Sequence, residues 1–297
     1  MLRLRETSHG WGHAVAIRER YAPPVPNCHA EEPTLLSYDV HRALAAEIDH
    51  IVWYQPIVAA ASGRPIGAEA LARAYTADGR VISAGALFSD ARCSHERLRR
   101  LDRQTVRRVG TNVAQWAALG FLPSISVNVS TTTIDRDAAG VLRWLADEKI
   151  DPKRITVEIT ETAPVEDIAA IAAAVERYRA AGLRVAIDDF GCGSATFELL
   201  YRVGADLMKI DRRFVRSLVA DDRARRVIAG MVRLAHELGM QVVAEGVESP
   251  LQWDWLTEIG CDAVQGHAIA HPMPPDSLIS WRDRIAWSPV ASQGQQP

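Results

Sequence analysis

Two adjacent carboxylates, Asp188 and Asp189, end an apolar run in the segment VAIDDFGCGS (185–194). The run is typical of a buried strand, and Gly191 marks the turn that follows it. Burial penalises the charged form of a carboxylate, so two unpaired charges at the end of a buried strand are costly. We therefore expect cations to meet the two aspartates at this point of the fold.

Polar side chains recur late in several other apolar runs. In SISVNVS (124–130) and RITVEIT (154–160), polar residues alternate with isoleucine and valine. Successive side chains of a strand face opposite sides, so the polar residues of each run share one face. The residues expected to converge are Asn128, Glu158, Asp188, Lys209, Glu245 and Gln265.

Carboxylates that converge in this way repel one another unless cations neutralise them. The set offers oxygen ligands and contains neither cysteine nor histidine, which favours Mg²⁺ or Mn²⁺ over zinc. Two such ions, about 3.5–4 Å apart, can hold both an attacking water and a phosphate oxygen. The pattern therefore leads to the hypothesis of phosphoester hydrolysis.

Lys209 is unusual in this chain, because the 34 basic residues include only three lysines. A lysine inside the apolar stretch LMKID indicates a need for a compact cation, which could position or help deprotonate a water. The alternative for any single acid is that it caps the N-terminus of the next helix. Capping leaves Lys209 and Asn128 without a role.

Eight candidate strands carry these residues. They are 50–58, 66–73, 124–130, 154–160, 183–189, 205–211, 240–246 and 261–266. Helical patterns separate most of the later strands, and two of them end at Gly182 and Gly239. The alternation predicts a parallel sheet closed into a (β/α)₈ barrel, whose polar strand faces point to the axis and whose chemistry lies at the carboxyl ends. A doubly wound sheet is the alternative, but QPIVAAASG (55–63) is not its glycine-rich phosphate loop.

The composition and the ends of the chain predict its domain boundaries, location and partners. We expect an extended or disordered segment over 1–34, the barrel over 35–286 and a disordered tail over 287–297. Four scattered cysteines indicate thiols in a reducing compartment, and no apolar leader or membrane span is apparent, so we predict a cytoplasmic protein without membrane insertion. A net charge of −3 lacks the excess of basic residues that is typical of proteins that bind a DNA or RNA duplex, so we expect no such partner.

Taken together, these stretches resemble the EAL-type cyclic di-GMP phosphodiesterases over about residues 36–285. The tripeptide of that family stands in GAEALARAY as Glu69, Ala70 and Leu71. YQPIV precedes it, and SVNVS, VEITET, AIDDFG, MKID, VVAEGVES and AVQG follow in the family's order. The resemblance implies a modified TIM (β/α)₈ barrel of EAL type, which hydrolyses cyclic di-GMP to linear pGpG with two Mg²⁺ or Mn²⁺ ions.

The resemblance also implies residue roles. The implied ligands of the first metal are Glu69, Asn128, Glu158 and Asp188. Those of the second are Asp188 and Asp189, with Glu245 acting through water, while Lys209 orients the attacking water. Substrate contacts are implied for Gln55, Leu71, Arg73 and Gln265, with Arg73 on a phosphate. Glu161 resembles the family's anchor for the loop after Asp189, which links catalysis to a homodimer.

Three departures from the family's pattern leave an alternative open. The loop has Cys192 for the usual threonine and Ser194 for the usual aromatic, and GHAIAHPMP (266–274) lacks the usual aromatic after the glycine. The alternative is a cyclic di-GMP receptor, weak or inactive in catalysis, that signals through a regulatory protein partner. Every implied ligand position is filled, which favours the enzyme over the receptor and over a scaffold that binds no nucleotide.

Overall fold

The computed structural model describes residues 50–75, 81–83, 95–160, 167–191 and 197–285. The strands in these ranges are β1 Ile51–Ala59, β2 Pro65–Tyr75, β3 Val81–Ser83, β4 Ile125–Ser130, β5 Ile155–Thr160, β6 Arg184–Phe190, β7 Leu207–Ile210, β8 Gln241–Ala244 and β9 Ala263–Val264. The helices are α1 His95–Ala118, α2 Thr131–Asp147, α3 Ile168–Ala180, α4 Phe197–Arg202, α5 Arg212–Ser217, α6 Asp222–Glu237, α7 Pro250–Glu258 and α8 Pro275–Ile285.

Eight of the strands close into a barrel. Their order around the ring is β1-β9-β8-β7-β6-β5-β4-β2, and pairing between β1 and β2 closes it, while β3 extends β2 outside the ring. Helices α1 and α2 pack on β4, α3 packs on β6 and α6 packs on β8. The predicted modified barrel is confirmed, with β3 as a strand that the sequence patterns did not indicate.

The prediction of an all-parallel sheet was wrong for β1. This strand runs antiparallel to both of its neighbours, β2 and β9. Only residues 60–64 join β1 to β2, and a parallel crossover needs a dozen residues or more, so the connection has to be a hairpin. The hairpin places Gln55 directly opposite Glu69, on the same face of the sheet.

The helices end where glycine allows a left-handed backbone. Gly182 follows α3 with φ 92°, and Gly239 follows α6 with φ 74°, as their positions in the sequence predicted. Helix α6 buries Ala224, Ile228 and Val232 at helical spacing, which turns one apolar stripe toward the sheet. The core therefore lies between the barrel strands and the helices around them.

Several predictions concern residues outside the described ranges. Glu161, Cys192 and Ser194 lie there, as do the segments 1–34 and 287–297, so the proposed domain boundaries stay predictions. Cys261 lies within the ranges, as a free buried thiol whose pKa burial raises to about 12. Within the part of the chain that is described, no helix is long and apolar enough to cross a bilayer.

Candidate active site

A buried lysine occupies the centre of the barrel mouth. Lys209 lies on β7 with 1% of its surface exposed. Its Nζ lies 2.7 Å from Glu158 Oε2, 3.0 Å from Asp188 Oδ1 and 2.5 Å from Glu245 Oε1. A fourth carboxylate, Glu69, places Oε2 at 3.4 Å. Residues predicted from separate runs of sequence thus meet around one ammonium group.

A chain of amides holds Glu69 in place. Asn128 Nδ2 donates to Glu69 Oε1 at 2.8 Å, and Gln265 Nε2 donates to Glu69 Oε2 at 2.8 Å. Gln265 Nε2 also donates to Gln55 Oε1 at 3.1 Å, and Gln55 Nε2 donates to the carbonyl of Ala270 at 3.0 Å. The three predicted amide side chains therefore form one network, and every bond to Glu69 favours its ionised form.

The charges in this cluster do not balance. Burial alone would raise the pKa of Glu69, but the Lys209 ammonium and the amide donors hold it below its ordinary value. Burial and the neighbouring carboxylates raise the pKa of Glu158 and of Glu245 well above the ordinary value. Burial works against the charge on Lys209, yet the surrounding carboxylates raise its pKa well above normal. One ammonium cannot neutralise all of these acids.

The paired aspartates separate at the end of β6. Asp188 is buried and faces Lys209, whereas Asp189 is exposed and has a left-handed backbone with φ 50°. The pairing of β6 with β7 is irregular between Ile187 and Phe190, which is where the chain turns. This confirms that two neighbouring strand residues cannot both face the axis. Partial desolvation, with Asp188 and Asp211 nearby, raises the pKa of Asp189 to about 7.

The acidic group fits a divalent metal. Asp188, Asp189 and Glu245 bring carboxylate oxygens within 4.8 Å of one another. These are hard oxygen donors, of the type that Mg²⁺, Ca²⁺ and Mn²⁺ prefer, and a divalent cation would offset the surplus negative charge. The chemistry of the donors and their spacing therefore suit a metal ion.

Helix capping does not account for these acids. Where the structure shows N-caps, at helices α2, α3, α5, α6 and α7, the capping residues are Ser130, Asp167, Asp211, Asp221 and Ser249. None of the carboxylates around Lys209 is among them. The capping alternative therefore fails for the cluster, although it holds for Asp211, which directly follows β7.

The remaining predicted residues lie along β2. Leu71 and Arg73 follow Glu69 at alternate positions, so all three belong to one face of the strand and advance toward its carboxyl end. Arg73 is half-buried, and its Nη1 donates to the carbonyl of Ala72 at 3.0 Å. The structure thus places the guanidinium further along the strand than Glu69.

Two histidines that follow Gln265 stack on each other, a contact that the sequence analysis did not predict. The rings of His267 and His271 stack with centroids 3.9 Å apart and planes 29° from parallel. His267 lies in the turn that follows Gln265, His271 lies two residues beyond that turn, and both residues are exposed. Their spacing of four residues in GHAIAHPMP is the signal that could have found them, because such residues meet on one face of a helical turn.

A known protein family matches the part of the chain that contains Lys209 and the carboxylates around it. The EAL domain model matches residues 39–272, most of the barrel and all of the residues around Lys209. The chain belongs to the EAL domain family. The EAL tripeptide is the stretch of β2 that carries Glu69, and the family's modified TIM barrel is the fold described above.

Two proteins of Pseudomonas aeruginosa are similar to this chain in sequence. The chain is 29% identical to the cyclic di-GMP phosphodiesterase PA2567 of Pseudomonas aeruginosa, over 94% of this chain and 46% of that protein. It is also 29% identical to the bifunctional diguanylate cyclase/cyclic di-GMP phosphodiesterase MucR of the same organism, over 86% of this chain and 37% of that protein. The chain thus spans less than half the length of these two relatives.

A solved structure agrees in fold. The phosphodiesterase PaMucR, in its c-di-GMP complex, superposes with a TM-score of 0.72 at 30% identity. The match covers 81% of this chain and 98% of that chain. The likeness therefore extends over nearly the whole of the solved EAL domain.

The surplus charge around Lys209 gives a prediction for stability. Because the folded-state pKa of Glu245 is raised, its carboxyl favours folding at low pH and loses that contribution as pH rises through the raised pKa. Glu245→Gln keeps the shape without the charge. We therefore expect the variant, without metal, to unfold at a higher temperature than the natural chain at pH 8, with a smaller difference at pH 5.

Thermal unfolding followed by circular dichroism in EDTA measures this difference. Glu237→Gln, at an exposed position on α6, is the matched control and should change neither value. A lower unfolding temperature for Glu245→Gln at pH 8 would show that the ionised carboxylate stabilises the metal-free fold.

Proposed function

We propose that this chain hydrolyses cyclic di-GMP to linear pGpG. The observation that carries the proposal is the cluster at the mouth, where Lys209 is buried among four carboxylates and amide donors hold Glu69. The names of the EAL relatives supply the substrate class. PA2567 and MucR are named as cyclic di-GMP phosphodiesterases, and the matching PaMucR structure is a complex with c-di-GMP.

We propose two divalent cations, Mg²⁺ or Mn²⁺, as cofactors. The residues proposed to hold the first are Glu69, Asn128, Glu158 and Asp188, and those proposed to hold the second are Asp188 and Asp189, with Glu245 acting through water. When bound, such ions activate water and neutralise charge on phosphate. The spacing of Asp188, Asp189 and Glu245 supports a site between β6 and β8.

Lys209 acts on the water in this proposal. Four carboxylates within 3.4 Å favour its charged form, so the ammonium serves as a hydrogen-bond donor that orients the oxygen of the nucleophile. Proton abstraction by Lys209 would require the neutral amine, which this surrounding opposes. Orientation is therefore the role that the geometry favours.

The substrate contacts proposed are those of Gln55, Leu71, Arg73 and Gln265. Arg73 presents forked N–H donors, which suit a phosphate. Gln265 Oε1 is buried and accepts no hydrogen bond from the residues in the described ranges, so a donor on the nucleotide would satisfy it. Leu71 supplies an apolar contact on the same strand face as Arg73.

Metal removal tests the proposal directly. We expect purified protein with Mg²⁺ or Mn²⁺ to convert cyclic di-GMP to pGpG, resolved by chromatography, and expect EDTA to abolish product until excess metal is restored. Cyclic di-AMP is the control substrate, and calorimetry reports nucleotide binding. Tight binding of cyclic di-GMP without product would support the receptor alternative, and absence of both would overturn the proposal.

The assembly and the location of the chain are part of the proposal. We propose a cytoplasmic homodimer, open to a regulatory protein partner, in which Glu161 anchors the loop after Asp189. Phe197 and Tyr201, one helical turn apart on α4, expose 72% and 82% of their surface, which supports burial against a second copy. Light scattering of the chain and of its Tyr201→Ser variant tests the dimer, which should weaken in the variant.

A further inference from the structure

Helix α1 carries a buried carboxylate outside the Lys209 cluster. Asp102 is 3% exposed and lies on the side of α1 that faces β4. Its Oδ2 accepts three hydrogen bonds, from Ser130 N at 3.2 Å, Ser130 Oγ at 2.8 Å and Thr133 Oγ1 at 2.6 Å. One oxygen of Asp102 thus binds the junction between β4 and α2.

The carboxylate is held there without a charged partner. Within the described ranges no lysine or arginine forms an ion pair with Asp102, and burial raises its pKa to about 6 against the effect of its three donors. A buried carboxylate is costly, and an apolar residue would pack on the same face of α1 without that cost. The hydrogen bonds of Asp102 to Ser130 and Thr133 therefore offset part of the cost of burying its carboxylate.

That junction leads directly to the proposed metal site. Ser130 is the last residue of β4 and the N-cap of α2, with its Oγ accepting from Thr133 N at 3.3 Å. Asn128 lies two residues before Ser130 on the same strand and donates to Glu69 Oε1. A shift of Ser130 would move Asn128, and through it the carboxylate of Glu69.

Helix α1 also binds the strand on the other side of β2. His50 Nε2 lies 3.1 Å from Thr105 Oγ1, and the Thr105 hydroxyl donates to the carbonyl of Leu101, so His50 is the donor to Thr105. His50 directly precedes β1. Because β1 is antiparallel to β2 and β4 is parallel to it, the start of β1 and the end of β4 lie at the same edge of the barrel. Polar groups of α1 thus hold both neighbours of the strand that carries Glu69.

We propose that Asp102 is a positioning residue for the metal site, acting through Ser130 and Thr133 on Asn128 and Glu69. The inference rests on the proposed function, because it assigns Asp102 to the metal ligands named there. Groups that hydrogen-bond directly to metal ligands typically contribute about 10–100-fold in metal affinity, and Asp102, which acts one step further out through Ser130, is expected at the lower end of that range. Asp102 itself touches neither the metal nor the substrate.

Calorimetric titration of the full chain with Mn²⁺ tests this role. We expect Asp102→Ala to weaken Mn²⁺ binding by about 10-fold or more, and Asp102→Asn, whose amide oxygen can accept the same bonds, to stay within about threefold of the natural chain. Thr133→Val removes only one donor and should fall between them. This variant keeps the test decisive if Asp102→Ala does not fold.

Val109→Ala is the control for a general loss of stability. Val109 is fully buried on α1, and truncating it weakens packing without breaking the bonds to Ser130. It should lower the unfolding temperature and leave Mn²⁺ affinity unchanged. An equal loss of affinity in Val109→Ala, or unchanged affinity in both Asp102→Ala and Thr133→Val, would overturn the inference.

The same titrations separate the inference from the proposed function. A natural chain that binds Mn²⁺ and fails to hydrolyse cyclic di-GMP would overturn the proposed reaction and leave the positioning role standing. A natural chain that binds no Mn²⁺ would overturn both. Where turnover is present, a positioning role further predicts a fall in kcat for Asp102→Ala that Asp102→Asn largely restores.

Discussion

We expect Lys209→Met to lose about 10²–10³-fold in kcat for hydrolysis of cyclic di-GMP, which is the range for removing one preorganised hydrogen-bond donor from an active site. Methionine fills a similar volume but donates no hydrogen bond, so nothing orients the water. The loss should persist at saturating Mn²⁺ and nucleotide. Steady-state kinetics at saturation measures it.

The same substitution should also destabilise the metal-free protein. Lys209 is the buried cation among Glu69, Glu158, Asp188 and Glu245, and removing one partner of a buried ion pair costs about 3–5 kcal/mol. For a domain of this size we expect the unfolding temperature in EDTA to fall by on the order of 10 °C. Divalent metal should restore more stability to the variant than to the natural chain, because it replaces the missing positive charge.

Lys153→Met is the matched control for this experiment. Lys153 is exposed in the turn before β5, and its loss should alter neither kcat nor the unfolding temperature. If Lys209→Met kept its kcat at saturating metal, the ammonium would have no part in the reaction. An unchanged unfolding temperature in EDTA would instead show that the carboxylates protonate at no cost when the cation is removed.

The sequence predicted which side chains converge at the barrel mouth better than it predicted the direction of the strands. Alternation of polar and apolar residues identified Asn128 and Glu158, because a strand between a barrel axis and a helix layer must show that pattern. The same reasoning gave β1 the wrong direction. Strand direction depends on the length of the connection, and the short link over 60–64 already required a hairpin that the alternation rule did not consider.

The residues that the sequence did not reveal act through contacts between distant segments. Asp102 is one of two acids on an arginine-rich helix, and only the packing of α1 on β4 shows that it binds Ser130. Gln55 and Glu69 were proposed separately, and their direct pairing follows from the hairpin. Periodicity identifies which face a side chain occupies, but it does not identify the element that packs against that face.

Glu69→Gln is expected to affect the proposed metal site more than the loss of any outer partner. Both carboxylate oxygens of Glu69 accept from amide groups, Asn128 Nδ2 at Oε1 and Gln265 Nε2 at Oε2. Glutamine presents one acceptor and one NH₂ group, so one of these contacts becomes donor against donor. The variant also loses the charge that a divalent cation would bind.

We therefore expect Mn²⁺ affinity to fall by more than the roughly 10–100-fold that outer partners contribute, and hydrolysis to fall at least as far. Saturating Mn²⁺ should recover part of the activity if the main loss is in affinity, whereas Lys209→Met should gain nothing from it. This contrast separates a metal ligand from a residue that orients water. Equal responses of the two variants to Mn²⁺ would contradict the separate roles proposed for Glu69 and Lys209, and Glu237→Gln controls for the chemistry of the substitution.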